Sequence, residues 1–384
     1  MATPAANAAP SVSPSLSLPP SQFARLQPHA YLLAHLSPPA SNQPSIRANG
    51  RAPSQFRVTS ANAGSLTHTN GSAVVRIGDT TAVCGVRAEI LHTDDIASWS
   101  VSSSSTSNSN KRRRLGEKTT DEDEGQDENE EDRAHIEDLN LLVPNLSLST
   151  GCAPGFTPGA PPLCARSITF TPDPLPFAQH TSHPGGRFAH LQMEIDAGQG
   201  SEESDPQEIK AFWVLYIDVM IISLAGNPFD AAWAAVLAAL RDTKLPKAWW
   251  DIDNETIICS DDISEASRLS LRGLPVASSF CVFEADAAAG WRAVVIPDVN
   301  DQKAQNQRKK GPQQKWILAD PDGYEEGLSQ ERATLVVDKA KNGKNVILKM
   351  EKHGGWSVDT EDLRQLVEIS GQRWDEMKRI LDQC

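Results

Sequence analysis

Residues 70–91, NGSAVVRIGDTTAVCGVRAEIL, constrain most strongly what this chain can fold into. Asn70-Gly71 opens one turn and Gly78-Asp79 supplies another, and apolar residues recur between and after them with the period of two that a pleated strand imposes. The spacing predicts two strands joined by a tight hairpin. Ala73, Val75 and Ile77 share a face of the first strand. In the second, Ala82, Cys84, Val86, Ala88 and Ile90 line one face, while Thr81, Arg87 and Glu89 punctuate the other. One side of the hairpin is therefore core and the other is half covered.

Composition sets how much chain is left to build around that hairpin. Of 384 residues, 1–20 are Ala/Pro/Ser, and 94–134 join a Ser/Asn tract, a basic run and an acidic run with almost no apolar residue. About 300 residues remain for a core, enough for one substantial α/β domain. The net charge of −14 is concentrated between Asp121 and Asp132, on what the composition marks as a solvated loop. An acidic balance argues against a free-standing nucleic-acid binder, but it leaves room for basic residues facing a shared channel. The six cysteines form no CxxC pair and have no His-rich partner motif, so neither a metal nor a cofactor is expected, and a reducing compartment is the simplest reading. No basic start followed by an apolar run marks a signal peptide. Residues 211–225, AFWVLYIDVMIISLA, are too short to cross a bilayer as a helix and carry Asp218 at their middle; a fully buried strand is expected instead.

Along the chain, Phe23, Leu26, Ala30, Leu33 and Leu36 give a helical pattern that Pro28 kinks and Pro38-Pro39 stops. Residues 55–66 read as a strand, and another resumes at His135-Ile136. A helix is placed between Phe177 and Ile195. After the 211–225 strand, Asn227 caps a helix with Pro228 at its first position and Asp230 in its first turn. Residues 255–260, 276–284, 291–297 and 316–320 read as short strands. Residues 333–338 and 346–350 pair across Asn342-Gly343, and an amphipathic helix from Asp359 to Leu381 buries Leu363, Leu366, Val367, Trp374, Met377 and Leu381.

Two stretches carry a resemblance. SIRANGRAPSQFR (45–57), with its arginine-x-x-glycine-arginine stretch, followed by GSAVVRIGDTTAVCGVRAEI, resembles the N-terminal half of the ribonuclease PH family, and ILADPDGYEEG (317–327) is similar to that family's C-terminal signature. Within the family the chain looks most like the non-catalytic ring subunits of the eukaryotic RNA exosome. The resemblance implies an α+β fold of ribosomal-protein-type βαβ units, with mixed sheets packed on helices. It implies one such domain over 21–384 behind a disordered tail of residues 1–20, interrupted at about 94–134 and 298–314. It also implies other ribonuclease PH-like chains as ring neighbours, RNA-binding cap subunits, RNA passing through the ring channel to a separate nuclease, no membrane, and residence in nucleus, nucleolus and cytoplasm.

Whether the chain has an active site turns on IISLAGNPFD. Active members of the family end the strand equivalent to 211–225 in aspartate-glycine, then bind phosphate at the following helix N-terminus. Here Ala225 stands in the aspartate's place, Asn227-Pro228 replaces the phosphate binders, and Asp230 would repel an anion. Asp218 is the one carboxylate left in the strand, with a hydrogen-bonded structural role weighed above a catalytic one. The Pro/Gly loop 151–165 keeps only Arg166 of the arginines that its family counterpart carries. Arg47, Arg51, Arg76 and Arg87 are the candidates for RNA or subunit contact, read as exposed. Lys111 to Arg114 fit a nuclear-import signal, an RNA-touching patch or a solvated charge run. Trp249-Trp250 can stack bases or serve a core or subunit contact, and the tract Asp251, Asp253, Asp261, Asp262 lacks the spacing of a calcium loop. The competing readings are an active phosphate-dependent 3′ to 5′ exoribonuclease and a free RNA-binding module.

Overall fold

The computed structural model describes residues 19–38, 44–96, 141–153, 211–251, 253–271, 273–285, 315–329, 331–340, 342–354 and 358–384. The basic and acidic runs, the strand starts at 135 and 291, the helix between 177 and 195, Arg166 and most of both expected insertions lie outside these residues. The chain falls into two compact units, Met1–Gln55 with Val282–Leu318, and Phe56–Cys281 with Ala319–Cys384.

The larger unit is built on the hairpin. Strands β1 (Thr59–Ala63), β2 (Gly71–Ile77) and β3 (Thr80–His92) run antiparallel in sequence order. Ile77 pairs with Thr80 across the Gly78-Asp79 turn. β4 (Leu142–Leu148) and β5 (Ala211–Ser223) complete a mixed sheet of order β1-β2-β3-β5-β4, with β4 parallel to β5. Ala73, Val75, Ile77, Ala82, Cys84 and Val86 are all buried, the face that the alternation assigned to the core. Each buried Val or Ile there contributes about 1.5–3 kcal/mol relative to exposure.

Helix α3 (Pro228–Asp242) lies on that face and packs against β1, β2, β3 and β5. Every residue from Ala231 to Leu240 is buried, which is why its sequence is apolar on all sides rather than striped. β2 can approach the end of this helix closely because Gly71 has no side chain: a Cβ there would run into Thr243 and the Ala239 carbonyl. The helices numbered before it, α1 (Pro20–Leu26) and α2 (Pro28–Leu36), belong to the smaller unit.

β5 departs from the expected fully buried strand. Both faces are buried only from Ala211 to Leu215; beyond that Asp218, Met220 and Ile222 point to solvent. The outer face of a mixed sheet needs no cover from its own chain, so a run of apolar residues alone does not separate a two-sided strand from this one.

After α3 come β6 (Lys244–Leu245), β7 (Ala248–Asp251), β8 (Thr256–Cys259) and β9 (Ser267–Arg268). β6 pairs with β9, and β7 with β8. A second sheet takes β10 (Val276–Glu284), β11 (Lys315–Ala319), β12 (Glu331–Lys339) and β13 (Asn345–His353) in the order β11-β10-β12-β13. The short α4 (Gly323–Leu328) precedes β12, and α5 (Thr360–Asp382) ends the fold against β1, β12 and β13. α5 buries Leu366, Trp374, Met377 and Leu381 as its periodicity required, but Leu363 and Val367 are only half-buried. Its stripe also includes Arg373, whose guanidinium donates to Thr59 Oγ1 at 2.6 Å and lies 4.8 Å over the Phe56 ring. Nη1 also pairs with Glu376 at 2.8 Å, so the charge is compensated while the stem is buried among core groups.

In the smaller unit, the Pro28 kink divides α1 from α2, and Leu32 and Leu36 are the buried residues of α2 rather than Leu33 and Leu36. His29 Nε2 lies 3.0 Å from the Glu284 carbonyl oxygen, and its ring lies 4.6 Å from that of Phe283.

Candidate functional site

The turn joining β5 to α3, where the resemblance to the ribonuclease PH family places phosphate binding, is filled by the chain's own groups. Arg57, just before β1, places its guanidinium there. Nε donates to Asp320 Oδ2 at 2.9 Å and Nη2 to Asp320 Oδ1 at 2.7 Å, a bidentate fork. Nη2 also donates to the Gly226 carbonyl at 3.1 Å, and Nη1 donates to the Ala225 carbonyl at 3.0 Å and to Thr80 Oγ1 at 3.3 Å. The five N–H groups of an arginine are thus all used. Asp320 is buried beneath them and also accepts the Arg57 backbone N–H at 2.9 Å. Burial pushes the Asp320 carboxyl up, but Arg57 and Asn227 overcome this and hold it below the ordinary carboxylate value. Burial likewise acts to lower the Arg57 value, and Asp320 outweighs it.

Asn227 is the hinge of the arrangement. Its backbone is left-handed at φ 46°, ψ 63°, a conformation in which asparagine is enriched among residues with a Cβ. Its Oδ1 caps the Asp230 N–H at 3.4 Å, as the sequence indicated. Its Nδ2 donates to both Asp230 Oδ2 and Asp320 Oδ1 at 2.8 Å, so one amide group separates two carboxylates. Asp230 is turned inward rather than toward an incoming anion, which corrects the expectation for that residue: Ser279 donates to it from Oγ at 2.7 Å and from its backbone at 3.0 Å. Burial and the neighbouring Asp320 charge push the Asp230 carboxyl up against those hydrogen bonds. The helix N-terminus also holds an internal anion, because the Asn227 N–H donates to Glu326 Oε1 at 2.9 Å. Burial raises the Glu326 carboxyl above its usual range, opposed by that N–H.

Two further details lock the turn. Thr80 Oγ1 donates to the Gly226 carbonyl at 2.8 Å and accepts the Ala225 N–H at 3.1 Å. Gly226, at φ +90°, lies so close to the backbone of Asp322 that a Cβ would overlap it. Asp320 itself has φ +49°. Two left-handed residues other than glycine, hydrogen-bonded to each other, mark a place whose geometry is imposed by its surroundings.

The other candidates lie elsewhere. Asp218 is exposed and accepts from Asn145 Nδ2 at 3.0 Å, the hydrogen-bonded role weighed for it. Arg47 is not exposed as expected: it is fully buried and its guanidinium bonds the Pro53 carbonyl, bracing its own loop. Arg51 is half-buried and donates to the Gln55 carbonyl at 3.1 Å. Arg76 and Arg87 are 61% and 60% exposed; Arg76 pairs with Asp79 at 3.2 Å, and Arg87 pairs with Glu89 at 3.1 Å and lies 5.5 Å over the Tyr216 ring. Neither Arg76 nor Arg87 bonds to the β5–α3 turn. Among the described residues no cluster of His, Cys, Asp or Glu is arranged to hold a metal ion, and no helix is long and apolar enough to cross a membrane. The sequence reading missed Arg57, Asp320 and Glu326 as one unit. Arg57 ends the segment 45–57 and Asp320 sits in ILADPDG, so both motifs were visible, but no spacing rule joins residues 263 apart.

Comparison with known proteins gives the same frame. The profile of the 3′ exoribonuclease family, domain 1, ribonuclease PH, matches residues 55–139 and 168–246. The chain is 29% identical to the exosome complex component rrp43 of Schizosaccharomyces pombe over 94% of this chain and 97% of that one. It is 22% identical to the exosome complex component Rrp42 of Thermococcus gammatolerans over 87% and 89% of the two chains. A chain of the solved Archaeoglobus fulgidus exosome with RNA bound to the active site shares 19% identity over 91% of this chain and 96% of that one, with a TM-score of 0.49.

Proposed function

We propose, on the premise that the chain belongs to the ribonuclease PH family of 3′ exoribonucleases, that it is a non-catalytic subunit of an RNA exosome ring. In that role it supports 3′ to 5′ RNA processing and degradation, including ribosomal RNA maturation, by helping to thread RNA to a nuclease carried on another chain. Its partners are other ribonuclease PH-like chains as ring neighbours and RNA-binding caps, in the nucleus, nucleolus and cytoplasm.

One observation carries the absence of activity: the position where phosphate would enter already holds the Glu326 carboxylate on the Asn227 N–H, while Arg57 has no N–H left for an anion. A phosphorolytic centre needs donors that are free until substrate arrives. Ala225 adds to this, since a methyl group neither binds metal nor moves a proton. For direct contact with RNA or with a neighbour, Arg76 and Arg87 are the exposed candidates and Arg51 a weaker one; Arg47 is proposed as a brace.

The test has two arms. The complex that co-purifies with the tagged full-length chain should have the mass of a multi-subunit ring containing other ribonuclease PH-like chains. That complex, supplied with RNA and phosphate, should release no nucleoside diphosphate that depends on this chain's β5–α3 turn. A homo-oligomer or lone monomer overturns the ring assignment, and diphosphate release abolished by Asp218→Ala overturns the non-catalytic one.

A further inference from the structure

The β7–β8 hairpin presents an exposed apolar face. Trp249 pairs directly with Ile258 across the hairpin, and with strand alternation the two share a face with Asp251 and Thr256. Trp250 turns the other way, with its ring 6.4 Å from that of His92, and Ala248 and Cys259 pack on the core. The outer face is therefore built, rooted on one side and apolar on the other: Trp249 and Ile258 are each 38% exposed. A few residues on, Ile263 is 82% exposed at the start of a tight turn that Asp262 caps by accepting the Ser264 N–H at 3.1 Å.

Carboxylates outnumber cations around this face, with exposed Lys247 at its edge, where the Lys247 carbonyl accepts the Ser260 N–H at 2.8 Å. Between Ala248 and Ala266 stand Asp251, Asp253, Glu255, Asp261, Asp262 and Glu265, with no lysine or arginine. Among the described residues none of these carboxylates is in an ion pair. Asp251 is spent on the hairpin tip, accepting the Asp253 N–H at 3.1 Å and Asn254 Nδ2 at 2.6 Å, but Asp253, Glu255, Asp261 and Glu265 are exposed. Exposed carboxylates flanking the indole in sequence, with Asp251 on its own face, repel a phosphate backbone, which argues against base stacking on Trp249 despite its fitness for it. They attract lysine and arginine, and the indole face adds a cation–π contact for a guanidinium.

We propose that the outer face of this hairpin docks an extended basic segment of a protein partner, a lysine- and arginine-rich stretch with one bulky aliphatic residue. The aliphatic side chain lies over Trp249 and Ile258, and the basic side chains lie against Asp253, Glu255 and Asp261. Apolar centre and charged rim divide the work as in other interfaces: the centre supplies affinity, and the rim supplies approach rate and selectivity.

The experiment is fluorescence anisotropy on the full-length chain in its purified complex. The probes are a labelled synthetic peptide of alternating lysine and arginine around one leucine, the same peptide with glycine for leucine, and a labelled oligouridylate. The leucine peptide is expected to bind about tenfold more tightly than its glycine counterpart, and to weaken as salt is raised. Trp249→Ser should remove that tenfold difference. Asp253→Asn with Asp261→Asn, which leaves the apolar pair untouched and should not alter the melting temperature, should weaken both peptides. Equal binding of the two peptides, or indifference to the charge variants, overturns the proposal. So does oligouridylate binding that Trp249→Ser abolishes, which would make the face an RNA platform.

Discussion

Replacing Arg57 by methionine tests the reading of the β5–α3 turn most directly. The side chain keeps its volume and loses all of its hydrogen bonds, stranding the Asp320 carboxylate beneath it with Asn227 Nδ2 and one backbone N–H. It also strips the Ala225 and Gly226 carbonyls of the donors that hold the chain as it enters α3. Removing one partner of a buried ion pair costs about 3–5 kcal/mol, most of it the uncompensated charge left behind. For a unit of this size each kcal/mol moves the melting temperature by about 2–4 °C, so Arg57→Met should melt about 6–20 °C below the parent. The distinguishing step is the double variant Arg57→Met with Asp320→Leu. If the cost is the stranded charge, the double variant should recover a substantial part of it, because an apolar pair of similar volume is often neutral against a buried ion pair. Urea denaturation of the purified full-length chain, read by far-ultraviolet circular dichroism, gives the free-energy cost of each variant, and a thermal melt gives the temperature shift. An Arg57→Met variant within about 1 kcal/mol of the parent, the range of an exposed ion pair, would refute the claim that this pair secures the turn.

Three other predictions follow from the same geometry. Gly226→Ala should cost several kcal/mol and reduce soluble yield, because φ +90° and overlap with Asp322 leave a Cβ no place; thermal melting checks it, with Gly50→Ala, left-handed but in open space, as the milder control. Stability should fall with acid through Asp320: its folded value lies below the ordinary 3.8, so its contribution is complete above 3.8 and is lost as pH drops through the lower folded value. An Asp320→Asn variant should show a flatter acid limb in urea midpoints taken between about pH 5 and 2. Ala225→Asp alone should leave the chain without detectable phosphorolysis of RNA, since Glu326 and the fully committed Arg57 still deny phosphate its donors; nucleoside diphosphate release by that single variant would show that the missing aspartate was the whole deficit.

The hairpin, the α3 start and the pairing of β12 with β13 were legible in the sequence because each is local. Asn70-Gly71, Asn227-Pro228 and Asn342-Gly343 specify turns and a cap within four residues, and strand alternation does the rest. The short strands β6, β7 and β9 were not legible, since two to four residues give no periodicity to detect. The outer face of β5 was misread for a different reason: Met220 and Ile222 look like core by composition, and only the sheet order reveals which side α3 covers. Arg373 was missed because a buried arginine on an apolar stripe is recognisable only from what it touches, here Thr59, Phe56 and Glu376. The Arg57–Asp320 pair is the extreme case, an interaction whose two halves stand 263 residues apart.

That pair also explains why the turn keeps a strained geometry. Left-handed backbone at Asn227 and Asp320 costs about 1–3 kcal/mol per residue, and an isolated turn would relax. Here relaxation of Asn227 would withdraw Nδ2 from two carboxylates at once and bring Asp230 and Asp320 together unshielded. Relaxation of Asp320 would break the fork to Arg57. Each strained residue is therefore held by the electrostatic penalty of releasing the other. The same interlock consumes the guanidinium, the helix N-terminus and the neighbouring carboxylates that a phosphorolytic site would have kept available. Rigidity at this turn and the full commitment of its donors are consequences of a single arrangement.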